Sequence, residues 1–246
     1  MKKLVAYITS GYPEKSFSID LALALHENGV DTLELGIPFS DPVADGPLIE
    51  KANQKALALG FKFEHLLEIS KVVAPKVDTL WMGYFNSFYQ HNMQKLIPAA
   101  KELGVNGFII PDLPYEENHP YNALFRANDL ANICFVAPTD SEARIEEIVK
   151  NSKKFIYLVA YTGITGSGAA EDLQPILATI KKYTQTPINV GFGVNQKTAK
   201  EKVKGADGVI VGSAFVEILL NESLNYNEKI KKCSELAKIL KSEINS

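Results

Sequence analysis

The chain has little that would mark it as secreted, metal-bound or membrane-embedded. Only two of its 246 residues are cysteines, Cys134 and Cys233, far apart and without metal-ligand spacing. A disulfide framework is therefore excluded, and both read as inert reduced thiols of a cytoplasmic protein. The four histidines, His26, His65, His91 and His119, pair with no Cys or Asp at metal spacing, so no metal is expected. No run approaches the roughly 20 apolar residues of a membrane span. The opening MKKLVAYITSGYP sets two lysines before an apolar stretch, but that stretch breaks at Thr9-Ser10-Gly11. It is too short for a signal-peptide core and reads as a first buried strand. Charge of one sign is also missing: 26 Lys and Arg against 29 Asp and Glu give a net charge of −3. With no basic stripe and no basic-aromatic interleaving, nothing suggests nucleic-acid binding.

What is present is a long alternation. Short apolar runs fall at Leu4–Thr9, Thr32–Gly36, Thr79–Tyr84, Gly107–Pro111, Ile133–Ala137, Phe155–Ala160, Ile188–Gly191 and Gly208–Val211. Helix-like segments separate them, near 15–28, 47–59, 63–74, 90–103, 116–129, 141–150, 172–183, 195–204 and 213–220, and an amphipathic stretch over 225–241 closes the chain. Strands alternating with helices imply parallel pairing through right-handed crossovers. Eight such units predict a (β/α)8 TIM barrel, with residues 1–246 as a single domain and no composition shift marking a boundary.

In a barrel of this type the chemistry sits at the carboxyl ends of the strands. The stretch Leu33–Pro47, LELGIPFSDPVADGP, sets Glu34 inside an apolar strand and Asp41 and Asp45 in the loop after it. A carboxylate between Leu33 and Leu35 is costly unless it is protonated, paired or used. Strand alternation turns Glu34 away from both leucines. If the leucines pack on the outer helices, Glu34 enters the barrel, where desolvation raises its pKa toward neutrality. A more solvated Asp45 would stay ionised, and two carboxylates in different settings can divide acid and base roles. Asp45 could equally cap the helix beginning near Pro47, and Asp41 could be a turn residue.

Three glycine-bearing loops end the barrel sequence: Gly163-Ile164-Thr165-Gly166-Ser167-Gly168, Gly191-Phe192-Gly193 and Gly212-Ser213. Glycine lets backbone N–H groups approach an anion, and Ser213 opens a helix-like segment whose N-terminus offers more of them. Their placement after strands six, seven and eight predicts a phosphate site built from backbone and hence a small phosphate-ester substrate.

These residues resemble a known family, the tryptophan synthase alpha chain. LELGIPFSDPVADGP is close to its signature, supported by Tyr7–Pro13, Pro111-Asp112-Leu113-Pro114, Gly163–Gly166, Gly191–Gly193 and Val211–Ser213. The resemblance implies a barrel that cleaves indole-3-glycerol phosphate to indole and glyceraldehyde 3-phosphate for tryptophan biosynthesis. It implies no cofactor in this chain, and a beta-chain partner in an alpha2beta2 heterotetramer that carries pyridoxal phosphate and receives indole through a tunnel. Carried over by residue, it makes Glu34, Asp45 and Tyr157 catalytic. It gives the phosphate to Gly166, Gly193, Gly212 and Ser213, the indole slot to Tyr84 and Phe192, loop closure to Thr165, and the partner interface to Asp41.

The sequence departs from the family at three points. The first strand begins by Leu4, without the extra amphipathic helix that many members carry at the barrel's base. Tyr161 stands where a basic residue is common, and residues 166–172 lack one too. Partner-driven loop closure is expected to be weaker or built differently. Two other readings compete. One is another phosphate-sugar barrel, an isomerase or cyclase of the same pathway; the cyclase would need a lysine within a strand core, and none of the eight runs holds one. A barrel that only activates a partner has little reason to keep a buried acid.

Overall fold

The computed structural model describes residues 1–160 and 172–246. Its nine strand segments are β1 (Lys3–Thr9), β2 (Thr32–Gly36), β3 (Asp78–Met82), β4 (Gly107–Ile109), β5 (Ala131–Asn132), β6 (Cys134–Val136), β7 (Ile156–Val159), β8 (Ile188–Gly191) and β9 (Gly208–Val211). They hydrogen-bond in the order β5-β4-β3-β2-β1-β9-β8-β7-β6, all in parallel. The two ends of that order are consecutive pieces of one segment, so the sheet curls into a nearly closed barrel with helices between its strands. The expected fifth strand, Ile133–Ala137, is thus two segments: residues 131–132 pair with β4 and residues 134–136 with β7. Ile133, whose N–H bonds the Phe108 carbonyl at 2.9 Å, marks the change of neighbour.

Period-two alternation sorts the side chains into two layers. Val5, Leu80, Ile109, Ile133, Phe155 and Ile210 meet inside the barrel. Their neighbours face the helices. Leu33 and Leu35 pack in the outer layer with Phe17, Leu21 and Leu25 of the helix Lys15–Glu27. Ile156, Leu158, Ile188 and Val190 join Ile145, Ile148 and Leu177 on the other side. Burying each of these aliphatic chains contributes roughly 2 kcal/mol, which offsets the polar groups the interior must hold.

The expected third strand stops at Met82, and Phe85–Tyr89 form a short helix instead. Asp112 accepts the Phe85 N–H at 2.7 Å and fixes that start. The closing helix, Tyr226–Glu243, begins with reciprocal bonds between Asn225 and Glu228. It reaches the amino-terminal end of the barrel, where Lys241 bonds the Lys2 carbonyl at 2.9 Å and the Asp31 carboxylate. Across the same base, Lys154 binds both oxygens of Asp78 at 2.6 and 2.8 Å, and Thr32 and Asn106 donate to Asp78 at 2.6 and 2.8 Å. No helix among the described residues is long and apolar enough to cross a membrane.

Candidate active site

A cavity of about 420 Å³ opens at the carboxyl ends of the strands. Glu34 and Asp45 line one part of it, and Gly193, Gly212 and Ser213 line another. Among its described lining residues there is no lysine, arginine or histidine. A second cavity of about 370 Å³, between Tyr115, Arg126, Cys134 and Lys153, has no carboxylate among its described lining residues.

Glu34 projects inward because its strand neighbours Leu33 and Leu35 face the helices. It is 2% exposed, and its Oε1 has no hydrogen-bond partner among the described residues. Burial first, and then the nearby Asp45 charge, push its carboxyl up to about 8. A carboxyl so placed is protonated at neutral pH and can give up its proton to a bound molecule.

Asp45 sits in the loop between β2 and the helix Pro47–Ala58. It does not cap that helix, whose N-cap is Gly46 with no side-chain cap. Its carboxylate accepts instead from the Asn53 amide at 3.3 Å and from the Tyr84 hydroxyl. Burial raises Asp45 to about 6, with these two donors restraining the rise. The two carboxyls therefore separate: over a window near neutrality Asp45 is charged while Glu34 is not.

Tyr84 stands one layer behind the position expected for it. It is 2% exposed, is not among the residues lining the cavity, and stacks on Phe39 with centroids 5.2 Å apart. Its hydroxyl accepts the Ala44 N–H at 2.9 Å while donating to Asp45, so it braces the loop that carries the carboxylate. Tyr157 does line the cavity, stacked on Phe135 at 4.9 Å and edge-on to Phe192 at 6.0 Å. Burial, then the charges of Glu34 and Asp45, raise its phenol well above the usual value, so it stays neutral.

Phe192 and Gly193 both hold left-handed backbone, with φ of 68° and 65°, and the Lys202 ammonium binds the Phe192 carbonyl at 2.6 Å. Gly212 is the N-cap of the helix Ser213–Leu220 and has no side chain to occupy the first N–H groups. A small anion at this corner meets free backbone donors and the positive end of the helix dipole. Asp41 is exposed on the loop outside the cavity, bonded to the Ser40 hydroxyl. Thr165 and Gly166 lie outside the described residues.

Three contributors escaped sequence reasoning. Asn53 holds Asp45 from the second turn of the helix that follows it, Phe135 backs Tyr157, and Tyr7 lines the cavity from β1. Tyr7 alone carried a signal, since Val5, Tyr7 and Thr9 alternate with the outward Leu4, Ala6 and Ile8.

Comparison with known proteins bears on the family and the fold. The family model for the tryptophan synthase alpha chain matches residues 1–245. The tryptophan synthase alpha chain of Wolinella succinogenes is 53% identical over 100% of this chain and 97% of its own length. That of Petrotoga mobilis is 38% identical over 98% and 95%. Among solved structures, tryptophan synthase subunit alpha from Campylobacter jejuni superposes with a TM-score of 0.87 at 34% identity, covering 96% of this chain and 95% of that one. A tryptophan synthase structure from Mycobacterium tuberculosis gives 0.89 at 29% identity over 100% and 93%. With a family match spanning nearly every residue and relatives similar from end to end, this chain belongs to the tryptophan synthase alpha chain family.

Proposed function

We propose that the chain is a carbon–carbon lyase that cleaves indole-3-glycerol phosphate into indole and glyceraldehyde 3-phosphate, working as one barrel domain over residues 1–246. One observation carries the reading: an acid pair, with no cation among the described lining residues, and a cradle of backbone donors line the same 420 Å³ cavity. The phosphate end would lie against Gly193, Gly212 and Ser213, with Gly166 completing the cradle and Thr165 closing over it. The indole end would lie between Phe192 and the carboxylates.

The chemistry follows from the two protonation states. Protonated Glu34 gives its proton to indole C3, forming a C–H bond and leaving positive charge at N1. Ionised Asp45 accepts the N1–H and stabilises that charge. The Glu34 carboxylate then takes the proton of the hydroxyl on the carbon attached to C3. As that oxygen forms a carbonyl, the C–C electron pair returns to the ring, and neutral indole leaves. Glu34 ends as it began. The Tyr157 phenol, neutral and close to Glu34, holds the substrate in register.

Indole is apolar and passes readily to a neighbouring protein. We propose a beta chain carrying pyridoxal phosphate as that neighbour, in an alpha2beta2 heterotetramer that meets this chain at Asp41, with the present chain using no cofactor and working in the cytoplasm. The test is to incubate the purified chain with indole-3-glycerol phosphate, with and without a beta chain, and to measure indole. Slow release alone and faster release with the partner is expected. No release in either case overturns the activity, and equal rates overturn the partner's role.

A further inference from the structure

Tyr7 occupies the cavity wall between the acid pair and the phosphate corner. It is the Cα partner of Glu34 in the β1–β2 ladder, so the two side chains stand side by side on the inward face. Its Cβ and Cδ1 lie beside Gly212, 3.4 and 3.6 Å from where a Cβ there would sit. Its ring then runs across Gly36, where an added Cβ would fall 2.2 Å from Cε2 and 2.3 Å from the hydroxyl oxygen. Tyr157 is set the same way on the other side: a Cβ on Gly191 would come within 2.2 Å of its ring and 2.5 Å of its hydroxyl. In each case a glycine on the adjoining strand leaves the space through which a phenol crosses into the cavity.

The surroundings of the Tyr7 hydroxyl are polar and incompletely satisfied. The buried Thr9 hydroxyl faces it from two residues along β1 and acts on the phenol, and Glu34 Oε1 has no hydrogen-bond partner among the described residues. An unpartnered acid oxygen on the cavity wall is available to a bound ligand. Burial and the Asp45 charge hold the phenol neutral, so it remains a donor.

From this placement we infer that Tyr7 is a substrate-positioning residue: its hydroxyl hydrogen-bonds the glycerol hydroxyl that surrenders its proton to Glu34, acting from β1 as Tyr157 acts from β7. The inference rests on the cleavage reading above. A packing role predicts that removing the phenol oxygen affects all ligands alike. A hydrogen bond predicts a loss only for ligands that carry the hydroxyl.

The test is a two-by-two binding measurement by calorimetry. Glu34→Gln, expected to suppress turnover, is compared with Glu34→Gln/Tyr7→Phe. The ligands are indole-3-glycerol phosphate and the analogue in which a plain propyl chain replaces the glycerol. Tyr7→Phe is expected to weaken the natural ligand about tenfold and the propyl analogue less than about twofold. Equal losses on both ligands, or no loss on either, overturn the inference while indole release by the unmodified chain leaves the cleavage reading standing. Failure of the unmodified chain to release indole overturns both.

Discussion

The two ends of the barrel treat acidic side chains in opposite ways. At the base, Asp78 is bound by Lys154, Thr32 and Asn106. Asp31 takes the Leu4 N–H together with Lys3 and Lys241. Burial pushes the Asp31 carboxyl up, but those donors outweigh it and hold the group below the ordinary carboxylate range. At the opposite rim, Glu34 and Asp45 meet no cation among the described residues lining the cavity, and both are raised. An acid given enough donors becomes part of the scaffold. Glu34, denied them, keeps a proton that can move.

The sharpest test of the contrast is Glu34→Gln, which keeps the shape and removes the mobile proton. Indole release is expected to fall by about 10³-fold or more. A variant that turned over normally would make Glu34 no different from the acids of the base. Next is Asp45→Asn, expected to cost on the order of 10²-fold through lost charge at N1, with substrate binding retained. Turnover close to that of the natural chain would reduce Asp45 to a structural loop residue.

The active form has Asp45 ionised and Glu34 protonated. The pH profile of kcat/KM should therefore be bell-shaped, with limbs near 6 and 8, falling about tenfold per unit beyond each. Asp45→Asn should remove the acid limb and leave the alkaline one, and a profile flat from pH 5 to 9 would contradict the assignment.

Stability should move the other way. Glu34 is raised from 4.5 to about 8 on folding, so its neutral form favours the fold. That advantage is complete below about 4.5 and is lost as pH rises through about 8. Relative to the natural chain, Glu34→Gln should thus gain about 4 kcal/mol of stability between pH 5 and pH 9. Denaturant melts at the two pH values measure it.

The smallest effect belongs to the base. Asp78→Asn breaks a pair that is partly open to water, with side chains 24% and 33% exposed, and should cost about 1 kcal/mol while leaving indole release within about twofold. A large loss of activity there would join the two ends in one function.

Much of the barrel could be read directly from the alternation of apolar runs. β2, β8 and β9 fall where the sequence places them, because each is a short run bounded by turn residues. The division of the fifth strand could not be read, since Ile133 changes neighbour by barrel closure and not by any local signal. The helix at Phe85–Tyr89 was hidden as well: its start depends on Asp112, distant in sequence. Glu34 was legible because an acid between leucines is chemically conspicuous. Tyr84 carries no mark of its depth, and only the folded loop shows that its hydroxyl serves Asp45 and Ala44. Asn53 was likewise silent, as one polar residue on an amphipathic helix.

Gly36 and Gly191 bring no functional group to the rim, and yet the crossing phenols leave no volume for a methyl at either position. A survey of tolerated substitutions should therefore find both as intolerant as the acids themselves. Their replacement would injure turnover through eviction of an aromatic neighbour, and shrinking that neighbour would restore the packing without restoring the phenol's contact with substrate.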